Sequence, residues 1–426
     1  MGDWGVRQRC VGVTAAIAVL GMTIALSGCG STGAPRSVTL RLVAAEYGTN
    51  SDTTTQKFWS ALALAFEAEH PDIKVDVRVR PWKTIDSDIA EMVEEGKAPD
   101  LAQGSSYADY AKGDKLYTAD EVMSVPTQAN FLSQLAEAGR VNRIQYGLPF
   151  AASTRLLFYN KKLYRDAGLS APETWDDIER DARALAERGV TTPLALPLGS
   201  EEAQSETLMW LLSGGGGYTE TADGSYNIDS PQNVRTFTWL KGLVGEGLTG
   251  PVPPSKLDRA TAFSAFSNGQ VGMLNGHPAL LEAARKRGVE VGAVPLPGVR
   301  GKAKSSMGSA DWMMAFRQNG HGKQIRAFLD YVYEDKNVLD FVGRYDQLPV
   351  TYSANEAMAG NRKYADLEKF RSGLDSSELF PYGKTSWSSV NESIKKNIGR
   401  AVEPGGRPAD VLGRIARDAS AAEVAE

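Results

Sequence analysis

Apolar and polar residues alternate in two segments near the start of the chain, 38–44 and 74–80, and each segment leads into a longer one with helical periodicity. These longer segments predict helices at 53–69 and 84–95, and a third strand is predicted after Pro99-Asp100. Strands that alternate with helices in this way predict a doubly wound α/β sheet. Such sheets bind their ligands beyond the carboxyl ends of the strands, so we expect the loops after these strands to face a ligand.

The remainder of the chain is richer in predicted helices. Thr174 is a predicted N-cap, and Ser230-Pro231 is predicted to start a helix as cap and first-turn proline. The predicted helices cover residues 174–188, 201–212, 230–245, 279–287, 324–334, 386–402 and 408–420, with short strands at 156–159, 194–198 and 289–296. Periodicity alone therefore indicates an α/β protein of two domains.

Residues 1–28 have the pattern of an export signal. Arg7 and Arg9 precede an apolar segment, 11–26, which is shorter than the roughly 20 residues that span a bilayer. The segment ends in Leu26-Ser27-Gly28-Cys29, which resembles the lipobox of bacterial lipoproteins. This resemblance implies cleavage before Cys29, acylation of its thiol, and a location on the outer face of the bacterial cytoplasmic membrane, with residues 29–37 as a flexible tether. A plain secretory signal is the alternative.

Composition and motifs exclude several classes of chemistry. The two cysteines are Cys10 and Cys29, so the mature body offers no thiol for a disulfide, a zinc site or a nucleophile. A formal charge of -5 without a basic stretch argues against a nucleic-acid partner. The three histidines lie far apart in the sequence, and no metalloprotease or serine-hydrolase motif occurs. We therefore expect no cofactor, no metal and no catalysis, although a carboxylate pair for glycoside hydrolysis stays an alternative.

A resemblance to a known family is carried by residues 147–177. Gly147-Leu148-Pro149, Tyr159-Asn160-Lys161, Gly168-Leu169, Pro172 and Thr174-Trp175-Asp176-Asp177 are spaced as in the maltose-type extracellular solute-binding proteins, the sugar receptors of ABC importers. Segments 96–101 and 263–276 are similar to further elements of that family. The likeness extends over essentially the whole mature chain.

The resemblance implies a two-lobed fold of the periplasmic-binding-protein type II class, with a doubly wound sheet in each lobe and a cleft between them. Lobe 1 would comprise residues 38–149 and 306–348, and lobe 2 residues 150–305 and 349–426. A monomer would close its lobes on a mono- or oligosaccharide and deliver it to the ABC permease. The alternatives are an exported carbohydrate-active enzyme, or a receptor for another solute such as a phosphorylated polyol. A ferric ion is disfavoured because no Tyr-Tyr pair occurs.

Sugar binding needs aromatic faces together with polar side chains that replace the hydrogen bonds of water. Tyr47 and Trp82 directly follow predicted strands, whereas Trp59, Trp210 and Trp239 lie in predicted helices and are interpreted as core residues. The further candidates follow from motif positions in the family and are Gln103, Ser106, Tyr107, Ser153, Thr154, Arg155, Glu206, His277, Asp311, Trp312 and Trp387.

Two of these candidates depart from the family pattern. Glu206 is acidic where maltose receptors place a ring-facing side chain, and His277 stands where relatives often carry tryptophan. At Glu206 the binding of a hydroxyl would replace stacking, and the departure at His277 argues against a maltodextrin ligand. Asp311-Trp312 is interpreted as a carboxylate and an indole that together hold two adjacent hydroxyls against a flat face.

Overall fold

The computed structural model describes residues 37–48, 54–220, 224–303 and 305–424. The predicted signal and Cys29 lie outside the described residues. None of the helices in the described part of the chain has the length and apolarity needed to cross a bilayer.

Short strands and helices alternate through the described residues. The strands are β1 Val38–Ala45, β2 Ile73–Arg80, β3 Leu101–Gly104, β4 Arg140–Val141, β5 Ile144–Gln145, β6 Leu148–Thr154, β7 Leu156–Asn160, β8 Thr192–Leu194, β9 Val271–Gly276, β10 Val291–Val294, β11 Pro297–Gly298, β12 Gly301–Lys302, β13 Ser306–Ala315 and β14 Ser377–Glu378.

The helices pack around these strands. They are α1 Thr55–Glu69, α2 Ile85–Glu94, α3 Ala108–Lys112, α4 Ala119–Val122, α5 Val125–Ala129, α6 Ser133–Ala138, α7 Lys161–Ala167, α8 Trp175–Glu187, α9 Ala203–Ser213, α10 Pro231–Gly245, α11 Arg259–Ser267, α12 Pro278–Lys286, α13 Gly322–Val332, α14 Asp335–Tyr345, α15 Tyr352–Met358, α16 Glu368–Leu374, α17 Trp387–Asn397 and α18 Pro408–Val424, with 3₁₀ turns at Pro254–Lys256, Arg362–Leu367 and Ile398–Ala401.

The first sheet has the strand order β14-β13-β3-β1-β2, with β6 also paired to β13. Strand β1 runs parallel to both β2 and β3, as the alternation of strand and helix predicts. Strand β13 returns from later in the chain and runs antiparallel to β3 and β6. The α/β class is therefore confirmed, and the carboxyl ends of β1, β2 and β3 meet at one edge.

The second sheet has the order β10-β7-β9-β8. Strand β7 runs antiparallel to both β10 and β9, and β8 runs parallel to β9, so this sheet is mixed. The strand predicted at 289–296 ends earlier, at Val294, because Pro295 has no N–H to donate to a neighbouring strand.

The chain passes directly from one sheet to the other. Arg155 is the single residue between β6 of the first sheet and β7 of the second. At the same place, Ala152 and Leu348 exchange backbone hydrogen bonds of 3.0 and 2.7 Å. Beyond Leu348, the Tyr352 amide donates to the Asn130 carbonyl at 2.7 Å. The division of the chain into two lobes at the stated boundaries stays a prediction.

Large aromatic side chains fill the core on both sides of this passage. Trp59 is fully buried and stacks on Phe150 with ring centroids 5.4 Å apart. Trp175 stacks on Trp239 at 4.2 Å and lies near Trp210. The interpretation of Trp59 and Trp210 as core residues is confirmed, and Trp239 is half-buried in the same stack.

Candidate functional site

The first part of the site is a hydrogen-bonded relay at the end of β1. The Tyr47 hydroxyl donates to Oδ2 of Asp311 at 2.6 Å and accepts from Nε2 of Gln103 at 2.6 Å. Oε1 of Gln103 in turn accepts from the Ala45 amide at 3.1 Å, which fixes the orientation of the amide group. We call Tyr47, Gln103 and Asp311 the Asp311 relay. The hydrogen bonds run from the Ala45 amide through Gln103 and Tyr47 to Asp311, so the Asp311 carboxylate is the last acceptor.

Trp82 and Asp86 lie beside this relay. The Trp82 ring meets Tyr47 edge to face, with centroids 5.4 Å apart, and is half-buried in the loop after β2. Asp86 lies in the first turn of α2 and accepts a hydrogen bond from the Ser105 amide at 3.0 Å and another from the Ser105 hydroxyl. Tyr47 and Trp82, from the strand-end loops predicted to face a ligand, thus lie near the carboxylates of Asp311 and Asp86.

The second part of the site lies around Arg155, the residue that connects the two sheets. Arg155 pairs with Glu202 at 3.1 Å and donates to the Ser153 hydroxyl at 2.9 Å. Arg259, from the first turn of α11, also contacts Glu202 and pairs with Glu201 at 2.8 Å. Burial alone would raise the pKa of Glu202, but the two guanidinium groups lower it below its ordinary value. Glu202 is therefore an ionised bridge between two cations.

Glu206 lies one helical turn after Glu202 and is in a different state. Glu206 is 4% exposed, and its carboxyl accepts hydrogen bonds from Nε1 of Trp210 at 2.6 Å and from Nδ2 of Asn275 at 2.9 Å. Burial raises the pKa of Glu206 to about 8, although these two hydrogen bonds lower it. At neutral pH the carboxyl is therefore mostly protonated and offers a neutral O–H group.

His277 follows β9 and closes the same side of the site. Its Nε2 lies 3.3 Å from a guanidinium nitrogen of Arg259, and its ring lies 5.0 Å from that of Phe263. Burial, together with the nearby charges of Arg155 and Arg259, lowers the pKa of His277 well below its ordinary value. The imidazole is therefore neutral at physiological pH and presents a polar edge without a charge.

Electrostatics connects the two parts into one site. Burial raises the pKa of Asp311 to about 6; the Tyr47 hydrogen bond and the charge of Arg155 oppose this increase, whereas Asp86 and Glu202 add to it. The charges of Arg155 and Glu202, in the second part of the site, therefore change the pKa of Asp311, which lies on β13 of the first sheet. The hollow lined by Arg155, Glu202 and Glu206 encloses about 10 Å³, which holds about one water molecule.

Three of the predicted aromatic rings pack in the core rather than in this site. Trp312 is fully buried, with its ring 5.2 Å from Tyr107 and 5.3 Å from Tyr382. Tyr107 is also fully buried, and its hydroxyl donates to the Ala138 carbonyl. Trp387 stacks on Phe380 at 5.2 Å. These three predicted rings pack within the core in this structure, so ligand contact by them stays a prediction.

Three polar candidates complete the predicted set. Ser153 accepts the hydrogen bond from Arg155, so it belongs to the site. The Thr154 hydroxyl instead donates to the Phe370 carbonyl at 2.8 Å and joins β6 to α16. Ser106 is half-buried in the loop between β3 and α3.

Sequence reasoning missed four residues of the site, which are Asp86, Glu202, Arg259 and Phe263. Glu202 precedes Glu206 by four positions, and this spacing placed both carboxylates on one side of a predicted helix. Arg259 and Phe263 are also four apart, and the guanidinium lies 5.1 Å from the centre of the Phe263 ring. Their proximity to Glu202 has no local sequence signal, because 57 residues separate Glu202 from Arg259.

Comparisons with known proteins agree on one family. The family model of the bacterial extracellular solute-binding proteins matches residues 50–338. A binding protein of Brucella abortus is 25% identical over 393 residues, which cover 90% of this chain and 92% of that protein. The galactooligosaccharide-binding protein of Bacillus subtilis is 29% identical over 261 residues, 57% of this chain and 58% of that protein.

Solved structures agree on the fold. The cyclic alpha-maltosyl-1,6-maltose binding protein of Arthrobacter globiformis superposes with a TM-score of 0.76 at 16% identity, covering 92% of this chain and all of that one. This similarity confirms the expected periplasmic-binding-protein fold. The chain belongs to the bacterial extracellular solute-binding proteins, which are transport receptors rather than enzymes.

Proposed function

We propose that this solute-binding protein serves an ABC importer and captures a mono- or oligosaccharide between two lobes. The main support for this proposal is that hydrogen-bonding groups from both sheets lie around one site. The Asp311 relay supplies acceptors beside the rings of Tyr47 and Trp82. Arg155, Glu206 and the neutral His277 supply donors and polar edges from the other side.

This mixture suits a polyhydroxylated ligand. Sugar hydroxyls both donate and accept, so they match a site in which ionised carboxylates, guanidinium groups and neutral polar groups alternate. Aromatic rings cover the apolar C–H faces of a sugar ring. The similarity to receptors described as binding a galactooligosaccharide and a cyclic maltosyl-maltose supports the same class of solute.

The hollow beside Glu206 is too small for a sugar ring, so we place the ring across its mouth, between the Asp311 relay and Arg155. The lobes proposed here are residues 38–149 with 306–348 and residues 150–305 with 349–426. Contacts made by both walls favour a closed state, and only this difference in affinity shifts the equilibrium between open and closed forms. A micromolar dissociation constant, about −8 kcal/mol, is sufficient for such a receptor.

The proposed location is the outer face of the cytoplasmic membrane, through acylation of Cys29. The lipobox-like Leu26-Ser27-Gly28-Cys29 supports this location, and a relative in Streptomyces antibioticus is described as a lipoprotein. A tether of small polar residues would leave the receptor free to reach the permease.

A thermal-shift screen of the mature protein against a panel of neutral saccharides tests the proposed function. A saccharide at 100 times its dissociation constant adds about 2.7 kcal/mol to the stability of the folded state. Titration calorimetry of each saccharide that raises the melting temperature then gives its affinity. Chromatography of the incubated saccharide must show it unchanged, since an enzyme would convert it. Glycerol 3-phosphate is included as the phosphorylated polyol of the alternative.

Arg155→Gln provides the matched structural test, with Arg317→Gln as its control. Arg155 links the two parts of the site, whereas Arg317 pairs with Asp114 and Glu121 on the surface. We expect the Arg155 variant to bind the saccharide at least about tenfold more weakly, about 1.4 kcal/mol, and the Arg317 variant to bind as the natural protein does. Equal affinities in both variants would place the ligand elsewhere.

A further inference from the structure

Asp311 is a half-buried carboxylate without a cationic partner. Its Oδ2 accepts from Tyr47, and no nitrogen of a lysine, arginine or histidine among the described residues lies within 4.0 Å of its carboxylate. A carboxylate removed from water without a counter-ion is costly. The relay adds no charge to it, because Tyr47 and Gln103 are both neutral.

The nearby cations are already neutralised. Arg155 is paired with Glu202, and Arg259 is paired with Glu201 and Glu202. These two arginines and two glutamates carry two positive and two negative charges. Their charges cancel, so the carboxylates of Asp311 and Asp86 are not balanced by them.

The charged and titratable groups that act on Asp311 come from five places in the chain. They are Tyr47 after β1, Asp86 of α2, Arg155 between β6 and β7, Glu202 before α9, and Tyr382 after β14. Two of these groups are anionic and two are neutral phenols. The remaining group is Arg155, whose positive charge opposes the effect of Asp86 and Glu202 on Asp311 but which is itself paired with Glu202 at 3.1 Å.

An irregularity in the strand pairing lies directly beside Asp311. The pairing of β13 with β6 shifts in register between Asp311 and Trp312, where Ala151 and Pro149 are the successive partners. Register shifts of this kind redirect a side chain next to a binding site. Tyr47, which contacts Asp311, also contacts the Trp82 ring, and the face of an indole attracts a cation.

We propose, on the basis of the sugar-receptor function, that the natural solute carries a positively charged nitrogen, as in an amino sugar or an amine-bearing oligosaccharide, and that this nitrogen binds against Asp311. An ammonium group would supply the missing counter-ion and donate to the open oxygen, Oδ1. The adjoining aromatic rings would add cation–π attraction. A neutral hydroxyl in the same place would make the hydrogen bond but leave the charge uncompensated.

Matched pairs of saccharides test this inference. Glucosamine is compared with glucose, and the fully deacetylated chitosan disaccharide with cellobiose, by titration calorimetry of the mature protein at pH 7. We expect the amine member of a pair to bind at least tenfold more tightly than its hydroxyl counterpart. In Asp311→Asn the two members should bind within about twofold of each other.

Asp346→Asn is the control variant. Asp346 also has its pKa raised to about 6, mainly by burial, and its charged neighbours, Glu282, Asp366 and Lys286, are not residues of the site. Its backbone is left-handed, with φ of 51°, which asparagine tolerates. The amine preference should be unchanged in this variant.

The pH dependence in the natural protein gives a second measurement that needs no variant. Protonation of Asp311 below about pH 6 removes its charge, so the preference for the amine member should decrease between pH 7 and pH 5. If neutral saccharides bind and no amine member binds more tightly than its counterpart, the inference is overturned and the sugar-receptor function stands. If no saccharide of either kind binds, both fail.

Discussion

Glu206 makes the stability of the protein depend on pH, and Glu206→Gln tests this directly. The folded carboxyl has its pKa raised from 4.5 to about 8, mainly by burial. In the unfolded chain the carboxyl ionises near pH 4.5, whereas in the folded protein it stays protonated up to about pH 8. The folded state therefore binds more protons between these values, and stability decreases as pH rises through that interval.

The size of the change in stability follows from the interval between the two pKa values, 4.5 and about 8. Each pH unit corresponds to about 1.4 kcal/mol, so at pH 7 the natural protein has lost about 3 kcal/mol relative to its stability below pH 4.5. Glutamine mimics the protonated acid: its oxygen can accept from Trp210 and Asn275, and its NH₂ group replaces the O–H. The Glu206→Gln variant should therefore be about 3 kcal/mol more stable than the natural protein at pH 7 and within about 0.5 kcal/mol of it at pH 4.5.

Urea denaturation of both proteins at half-unit steps from pH 4.5 to pH 8 measures this difference. Contributions from other titrating groups, such as Asp311, cancel when the two curves are subtracted. Glu356→Gln, at an exposed position on α15, is the control and should give a curve parallel to that of the natural protein. If the Glu206→Gln curve is also parallel, Glu206 is ionised in the folded state and the reasoning is wrong.

Three further changes have separate expected outcomes. Trp82→Ala should weaken saccharide binding about tenfold in titration calorimetry, because the ring contributes a face beside the relay; Trp239→Ala should lower the melting temperature and leave the affinity unchanged. Thr174→Ala should cost about 1 kcal/mol in urea denaturation, since the N-cap bond of α8 is lost, whereas Thr191→Ala at an exposed position should stay within about 0.5 kcal/mol. Cys29→Ser should abolish labelling of the protein by radioactive palmitate; labelling of the variant at the natural level would contradict acylation at this residue.

Local patterns predicted the elements whose residues interact with near neighbours. The alternation at 38–44 corresponds to the first part of β1, where Leu40 and Leu42 are buried and Arg41 between them is not; from Leu42 to Ala45 both faces of the strand are buried. Thr174 was predicted as an N-cap from the residues around it, and its side chain accepts from the Asp177 amide at 3.1 Å. Ser230 caps α10 in the same way. Neither cap depends on a distant part of the chain.

The site depends on distant pairings and was predicted less completely. Asp311 and Trp312 were interpreted as acting together on the ligand, but adjacent residues of a strand point to opposite faces. The structure accordingly directs Asp311 to Tyr47 and Trp312 to the core. Glu202 and Arg259 were not identified, because their pairing depends on where α9 and α11 lie in the fold. The periodicity of apolar residues in the sequence gives no information on that placement.

Arg155 shows why binding and lobe movement would be coupled in this chain. It is the only residue between β6 and β7, so its backbone must turn if the two sheets change their relative orientation. Its guanidinium holds Ser153 on one sheet and Glu202 beside the other, and its charge lowers the pKa of Asp311. A movement at this residue would therefore change the distance between the cation and the relay. A solute that stabilises one arrangement of Asp311, Arg155 and Glu202 would stabilise the matching orientation of the sheets.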